Sequence, residues 1–179
     1  MKPNSPGEGA GPPPRVLRRI IGVDPGLAFT GWGVIESDSL RIVYLAHGCI
    51  ETKADRPRAE RLFSIYTAFR GVLETWRPSE SAMETLYFAR NVSSAFPVAE
   101  ARGVLSMALA ERGLRVWEFS PKAIKQAVVG RGSAEKNQVQ DLVRIILGLP
   151  AIPQPDHAAD ALGAAVCAAH TIPQALSSP

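Results

Sequence analysis

Three acidic residues lie far apart in the chain, and each stands in an apolar setting: Asp24, Glu84 and Asp160. A carboxylate is costly to bury unless it is paired or bound to a cation. One shared metal site would explain all three residues at once. Oxygen-rich clusters suit Mg²⁺ or Mn²⁺, and two such ions can drive phosphodiester cleavage. The sequence therefore predicts a catalytic site that holds two ions of Mg²⁺ or Mn²⁺.

Each of these acids also has a structural alternative. Asp24 precedes a Pro-Gly turn signal, where an Asp commonly bonds its own backbone. Glu84 lies inside a short apolar strand, where a lone Glu is disfavoured, so a functional role is the better explanation. Asp160 stands between two alanines of a helix that is apolar nearly all round, and this pattern predicts that it is buried.

Two further polar residues share the predicted helix of Asp160. His157 and Asp156 precede it by three and four positions, so all three side chains share one helix face. Asp156 is most simply a first-turn acid or an N-cap, which the helix dipole favours. His157 has three open interpretations: a metal ligand, a proton-transfer group or a core histidine.

The charge distribution favours a polyanionic partner. The net charge is only +3, but the segment 115–144 holds six basic residues and three acids, and no Lys or Arg follows it. A basic zone beside an acidic site is typical of a protein that processes nucleic acid with metal ions, whereas the alternative is a solvated helix surface. The candidate DNA-binding residues in this zone are Lys125, Arg131 and Lys136.

The stretch after the Glu84 strand supplies three more DNA-binding candidates: Tyr87, Phe88 and Arg90. Aromatic rings beside a nucleic-acid cleavage site can stack on unpaired bases. The alternative is that both rings pack in the core. Adjacent residues of an extended segment point in opposite directions, so we expect one ring to face inward and the other outward.

Length and composition indicate one domain with a sizeable core. The chain has 179 residues, of which 46% are hydrophobic. No apolar run is long enough to span a membrane, and no signal peptide is evident. The two cysteines, Cys49 and Cys167, are isolated, as expected of thiols in a reducing cytoplasm. Residues 1–17 and 171–179 are predicted to be tails that flank a domain at 18–170.

Periodicity predicts an α/β fold: a mixed five-stranded sheet flanked by helices. The predicted strands are 16–24, 30–35, 41–51, 81–86 and 115–119. The predicted helices are 57–76, 91–112, 121–129, 134–147 and 156–170. Ser133 is the expected N-cap of the fourth helix.

In combination, the motifs of the chain resemble those of the RuvC family of bacterial Holliday-junction resolvases, the crossover junction endodeoxyribonucleases. The resemblance covers about residues 18–170. The motifs that carry it are IGVDPG at 21–26, TGWGVI at 30–35, Glu84 with FARN at 88–91, ARGV at 101–104, VVGRGSAEK at 128–136 and AADAL at 158–162.

This resemblance implies an RNase H-like fold and an enzyme that resolves Holliday junctions by paired nicks in two opposing strands. Asp24, Glu84 and Asp160 would be metal-binding catalytic residues, and the fourth catalytic and metal position falls on His157, where many members have Asp. Lys125 and Lys136 match DNA-binding lysines of the family, and Tyr87 matches its base-stacking aromatic.

The implied partners are four-way junction DNA, a second copy of the chain and the RuvA–RuvB branch-migration complex. Two symmetric incisions need two sites, which a homodimer supplies. We expect the dimer interface on the helix at 91–112, whose apolar stripe is formed by Val98, Ala101, Leu105, Ala108 and Leu109. The alternative is that this stripe faces only its own core.

Two other functions are compatible with parts of the pattern. An actin-like or sugar-kinase-type ATPase also has Asp-x-Gly after its first strand, but it needs two related domains and a second phosphate loop. A non-catalytic DNA-binding module has no need for Glu84 and Asp160 in apolar settings. Metal-dependent cleavage of a four-way junction would separate the nuclease from both.

Overall fold

Five strands and five helices occur in the predicted order within residues 17–38, 40–86 and 92–173, which the computed structural model describes (of 92–94, the backbone alone). The strands are β1 (Arg18–Asp24), β2 (Phe29–Ser37), β3 (Ile42–Glu51), β4 (Glu80–Glu84) and β5 (Val116–Phe119). The helices are α1 (Arg58–Trp76), α2 (Val92–Ala110), α3 (Pro121–Val129), α4 (Lys136–Ile146) and α5 (Asp156–Thr171).

The strands form one mixed sheet in the order β3-β2-β1-β4-β5. The first three strands are an antiparallel meander, and β4 and β5 then run parallel to β1. Parallel neighbours need a crossover, and α1 and α2 supply the two connections. The predicted mixed five-stranded sheet is therefore confirmed.

Side-chain alternation along β1 divides the core between the two faces of the sheet. Ile20 packs on the face that α5 covers, with α3 and α4 beyond it. Ile21 and Val23 point to the other face, which α1 and α2 cover. Asp24 lies four residues after Ile20 in the same strand, so its side chain projects from the same face of the sheet, toward α5.

Helix α5 lies unusually close to the sheet, because three glycines provide no side chain beneath it. A Cβ atom on Gly22 would overlap the carbonyl oxygen of Ala161, and one on Gly31 would overlap that of His157. A Cβ on Gly33 would run into the side chain of Leu162. The backbone of α5 therefore rests directly on β1 and β2.

A buried ion pair joins β1, β4 and the end of α5 at the opposite end of the sheet from Asp24. Arg18 donates to the two Glu80 carboxylate oxygens at 2.6 and 2.8 Å and to the Ile172 carbonyl at 2.9 Å. Both side chains are almost fully buried. Charged groups at such depth require partners on all sides, so this contact fixes where the three elements meet.

Two expectations about the helices were wrong. Helix α4 has Glu135 as its N-cap instead of Ser133, because Glu135 and Gln138 form a reciprocal capping box. In α2, the residues expected at a dimer interface are mostly core: Ala101, Leu105, Ala108 and Leu109 are fully buried within this chain. Their stripe faces Ile65, Phe69 and the sheet, as the alternative explanation held.

No helix of the described residues is long and apolar enough to cross a membrane. Both cysteines are free thiols; Cys167 is buried and Cys49 is half-buried. The domain limits remain a prediction, although α5 continues through Thr171 and Ile172 is buried against the core.

The close approach of α5 can be tested by adding one methyl group. Gly22→Ala should destabilise the protein by about 1–3 kcal/mol or more, because backbone atoms of Ala161 block the new Cβ and α5 must move. Gly71→Ala is the matched control, since a Cβ there meets nothing within 4 Å. In helix α1 this change should stabilise the protein by up to about 1 kcal/mol. Urea unfolding measures both, and a Gly22→Ala midpoint equal to wild type would contradict the packing.

Candidate active site

Asp24 and Glu84 lie side by side at the ends of two parallel strands. Val23 of β1 pairs with Met83 of β4, so the next residue of each strand is an acid. Ala82 belongs to the core on the α5 face, and Glu84, two residues later, projects on the same side. The carboxyl ends of neighbouring parallel strands thus bring the first two predicted site residues together.

A tight loop between β1 and β2 supports the backbone that follows Asp24. The buried Thr30 hydroxyl donates to the Gly26 carbonyl at 2.7 Å. A Cβ on Gly26 would overlap the carbonyl oxygen of Phe29, so the loop closes this tightly only with glycine at that position. The glycine of the turn signal after Asp24 is therefore a structural requirement of the loop.

The first turns of α5 bring His157 and Asp160 to the same place. The His157 Nδ1 atom lies 2.6 Å from a carboxylate oxygen of Asp24. The imidazole also stacks on Phe29, with ring centroids 5.7 Å apart and planes 13° from parallel. His157 is 41% exposed and bonded to a site carboxylate, which excludes the core interpretation.

Lys136, at the start of α4, reaches into the acidic cluster. Its ammonium lies 3.0 Å from Asp160 and 3.3 Å from Asp156. Burial lowers the pKa of Lys136, but its bonds to the two aspartates outweigh this and raise the pKa overall. Asp160 is 32% exposed, so the expected full burial was wrong: one side of its carboxylate is open to Lys136 and to solvent. Asp156 is a first-turn acid, as predicted.

The grouped carboxylates make this cleft electrostatically strained. Burial raises the pKa of Asp24, and the hydrogen bond from His157 opposes that shift. Burial also raises the pKa of Glu84, and the charges of Asp24 and Asp160 raise it further. Asp24 and Glu84 are thus harder to ionise, first because they are buried and further because other carboxylates are near.

Two adjoining cavities open around Glu84. One, of about 270 Å³, is lined by Glu84, Asp160, Lys125 and Lys136. The other, of about 220 Å³, is lined by Asp24, Glu84 and Arg102. The structure therefore places Lys125 and Lys136 at the same cleft as the acids. Arg131 is exposed and bonds Gln138, so it lies on the α3–α4 surface outside these cavities.

Sequence reasoning missed two residues that position the site. Arg102 donates to the Glu84 carbonyl at 2.6 Å and pairs with Glu118 at 2.7 Å, which holds the end of β4 against β5. Phe29 supports the imidazole of His157. Arg102 is a charged residue beside the apolar stripe of α2, and this pattern could have predicted a positioning role. No local sequence pattern predicts the role of Phe29. Tyr87, Phe88 and Arg90 lie outside the described residues.

The donor chemistry fits a divalent cation, because three carboxylates and an imidazole are grouped here and such a cation would relieve the repulsion between the carboxylates. As arranged here, the described His, Cys, Asp and Glu side chains include no group of three close enough together to ligate one ion. Lys136 neutralises Asp160, and His157 bonds Asp24, so these contacts would have to open when a metal binds.

The fold and the cleft together define the class. Carboxylates at the ends of the first and fourth strands and on a helix packed across the sheet are the arrangement of an RNase H-like nuclease domain. Residues 20–168 match a family model described as crossover junction endodeoxyribonuclease RuvC.

Individual relatives agree with that match. The crossover junction endodeoxyribonuclease RuvC of Chloroflexus aggregans is 47% identical over 157 residues, which cover 87% of this chain and 94% of the relative. The structure of Thermus thermophilus RuvC has a TM-score of 0.77 at 35% identity, over 85% of this chain and 93% of that one. The same protein in complex with a Holliday junction substrate has a TM-score of 0.77 at 33% identity, over 86% of this chain and 93% of that one.

The chain belongs to the RuvC family of crossover junction endodeoxyribonucleases. The predicted fold and enzyme class are thereby confirmed, and the comparisons support the Holliday-junction resolvase over the ATPase and over the non-catalytic DNA-binding module. Nucleases of this family generally depend on a divalent metal ion.

The pH dependence of stability tests the electrostatic strain. With a chelator present, Glu84→Gln should unfold at higher urea than wild type at neutral pH, because it removes a half-buried charge that two carboxylates repel. The pKa of Glu84 is raised above its ordinary 4.5. Ionised Glu84 therefore lowers the free energy of unfolding of the wild type, and this effect is complete above the raised pKa. The effect disappears at a pH low enough for Glu84 to be protonated in both the folded and the unfolded state.

The stability gain of Glu84→Gln should accordingly shrink as the pH falls through that window. Glu51→Gln, a change at an exposed strand end, is the control and should show little dependence of this kind. A gain that stays constant from neutral to acid pH would contradict the raised pKa of Glu84.

Proposed function

We propose that this chain cuts four-way DNA junctions with divalent metal ions held by Asp24, Glu84, His157 and Asp160. The observation that carries the proposal is the meeting of three carboxylates from separate elements in one cleft with lysines on its wall. The relative from Thermus thermophilus, with the same fold, forms a complex with a Holliday junction substrate. The test is cleavage of a labelled junction with and without added metal.

Two ions of Mg²⁺ or Mn²⁺ are the proposed cofactor, which when bound polarises the phosphate and activates water. The chain's own residues hold and orient the side chains that are proposed to bind these ions. Arg102 fixes the Glu84 backbone, and the loop closed by Thr30 fixes Asp24. Phe29 and Asp24 fix the plane of the His157 ring, so that its second nitrogen has a defined direction.

Positive residues at the cleft are the proposed DNA contacts. Lys125 and Lys136 lie on its wall, where they can neutralise phosphates of the cut strand. Arg131 extends the same positive surface between α3 and α4. The roles of Tyr87, Phe88 and Arg90 in base stacking and DNA binding remain predictions from the family resemblance.

We place the homodimer on the exposed face of α2 in place of the buried stripe. Phe96 and Met107 are 61% and 52% exposed, and Gly103 lies between them on the same side of the helix. A Cβ on Gly103 would meet nothing within 4 Å, so a second helix could approach closely there. An action with the RuvA–RuvB complex and a location in the cytoplasm remain predictions.

The carboxylate roles predict a loss of chemistry without a loss of binding. Asp24→Asn, Glu84→Gln and Asp160→Asn should each lower the single-turnover cleavage rate by about 100-fold or more, because each removes a charged ligand of the metal. Junction affinity should change little, since it arises mainly from basic contacts with phosphates. The rates and gel-shift affinities of the three variants measure this.

Asp141→Asn is the matched control for those variants. Asp141 is a partly exposed acid that pairs only with Arg144 within the described chain, and its loss should leave both cleavage and binding unchanged. A near wild-type rate in any one of the three variants would remove that residue from the site.

The dimer proposal predicts that charge on the α2 face separates the subunits. Met107→Glu should convert the dimer to a monomer, because a carboxylate would have to be desolvated in the interface. Ile145→Glu, at a residue of α4 with 55% exposure, is the control and should remain dimeric. Light scattering measures both variants, and a Met107→Glu protein that stays dimeric would contradict this interface.

A further inference from the structure

A separate cleft of about 400 Å³ opens on the Phe29 side of the active site. It adjoins His157 but contains none of the three site carboxylates. Its other principal lining residues are Leu27, Phe29, Arg58, Arg61, Pro97 and Val98. The cleft is thus apolar on its floor and carries two guanidinium groups, a combination that the site described above does not use.

Phe29 gives this cleft an aromatic wall. Its side chain is a large hydrophobic group that remains 42% exposed, although it already stacks on the imidazole of His157. The exposed part of the ring keeps apolar surface in contact with water, and removing that surface from water is favourable. A nucleobase or the apolar edge of a sugar is the kind of group that stacks on it beside a phosphodiester-cleaving site.

Arg61 is held in place by the loop that carries Phe29. Its Nε donates to the Thr52 hydroxyl at 2.9 Å, and that hydroxyl donates to the Leu27 carbonyl. The two terminal amino groups of Arg61 make no hydrogen bond or ion pair with another residue of the described chain. They remain available as a pair of donors, the geometry that binds phosphate in a bidentate manner.

Arg58 adds a second charge from the first turn of α1. Its partner is Glu100 at 3.4 Å, and Arg58 remains 56% exposed, so the pair is a weak surface contact that a phosphate could replace. The backbone N–H groups at the start of α1 have no side-chain cap. The helix dipole therefore adds to the positive potential of both arginines.

The positive surface continues away from the active site. Arg61 also lines a neighbouring cleft of about 360 Å³, together with Lys53 and Arg56. The two clefts form one path that starts at His157 and passes the start of α1. A single strand leaving the active site along this path would meet one positive side chain after another, although Glu51 and Glu60 border it as well.

We propose that the Phe29 cleft binds the nucleotide next to the scissile phosphate, with its base against Phe29 and its phosphate between Arg58 and Arg61. This inference rests on the proposed function, because it assigns the path of the DNA strand that the carboxylates cut. The subsite adjoins His157, whereas Lys125 and Lys136 line the cavity of Glu84 and Asp160, with which it shares no lining residue. The cut strand is thus held on both sides of the reacting phosphate, which keeps that phosphate in register with the carboxylates.

The experiment measures binding of a four-way junction to the full chain in the presence of a chelator, so that no cleavage occurs. Arg58→Gln and Arg61→Gln should each weaken binding and lower the magnitude of the log–log salt slope by about 0.7–0.9, the loss of one phosphate contact. Arg112→Gln is the matched control. It also removes an arginine paired with a surface glutamate, Glu74, but Glu74 lies about 24 Å along α1 from Arg58 at 1.5 Å per residue.

A fluorescent base reports the stacking. 2-Aminopurine is placed in turn at the nucleotide on each side of the cut. At one of these positions the wild-type complex should quench its emission, and Phe29→Leu, which keeps apolar volume without the ring, should restore it. Thermal unfolding verifies that each variant is folded, and Phe29→Tyr should rescue the quenching.

The results separate this inference from the proposed function. If the wild type neither binds nor cuts the junction, the proposed function itself fails. If the wild type binds and cuts, the subsite is overturned either by unchanged salt slopes in both arginine variants or by a wild-type signal no lower than that of Phe29→Leu. A lowered slope together with ring-dependent quenching supports it.

Discussion

Helix α5 can lie on the backbone of β1 and β2 only because Gly22, Gly31 and Gly33 leave no side chain between them. That contact brings His157 and Asp160 down to the strand ends that carry Asp24 and Glu84. Side chains of ordinary size would hold the helix further from the sheet. The distance between the acids of the helix and those of the strands is therefore set by backbone packing. Elsewhere in the core, side chains can change without moving the site, provided that they leave this contact intact.

The site works against the stability of the fold around it. Burial and mutual repulsion raise the pKa values of Asp24 and Glu84, which means that ionising them costs free energy in the folded state. Paired groups hold the strand that carries Glu84 at both ends: Arg102 binds the end of β4, and the Arg18–Glu80 pair binds its beginning. Strain that persists at a site held firmly by its surroundings is the expected pattern for a catalytic cleft.

Most of the fold could be predicted from the sequence, because strand alternation, helical periodicity and turn residues are local signals. The three acids were also predictable, since a carboxylate in an apolar run is anomalous whatever the fold. The contact between Lys136 and Asp160, the stacking of Phe29 on His157 and the anchoring of Glu84 by Arg102 were not, because they join residues whose proximity arises only from the tertiary packing. The apolar stripe of α2 misled for a related reason: periodicity shows which face is buried but not whether a partner or the same chain buries it.

The ammonium of Lys136 occupies the space between Asp156 and Asp160, and one ammonium cannot serve two sets of partners fully at the same time. Under the proposed function, a phosphate that draws Lys136 away would leave the Asp160 oxygens open to a cation, and a cation bound at Asp160 would free the ammonium for a phosphate. By thermodynamic reciprocity each of these ligands raises the affinity for the other to the same extent. Under that proposal the lysine would act as an internal counter-ion, so that binding of nucleic acid and binding of metal would favour each other.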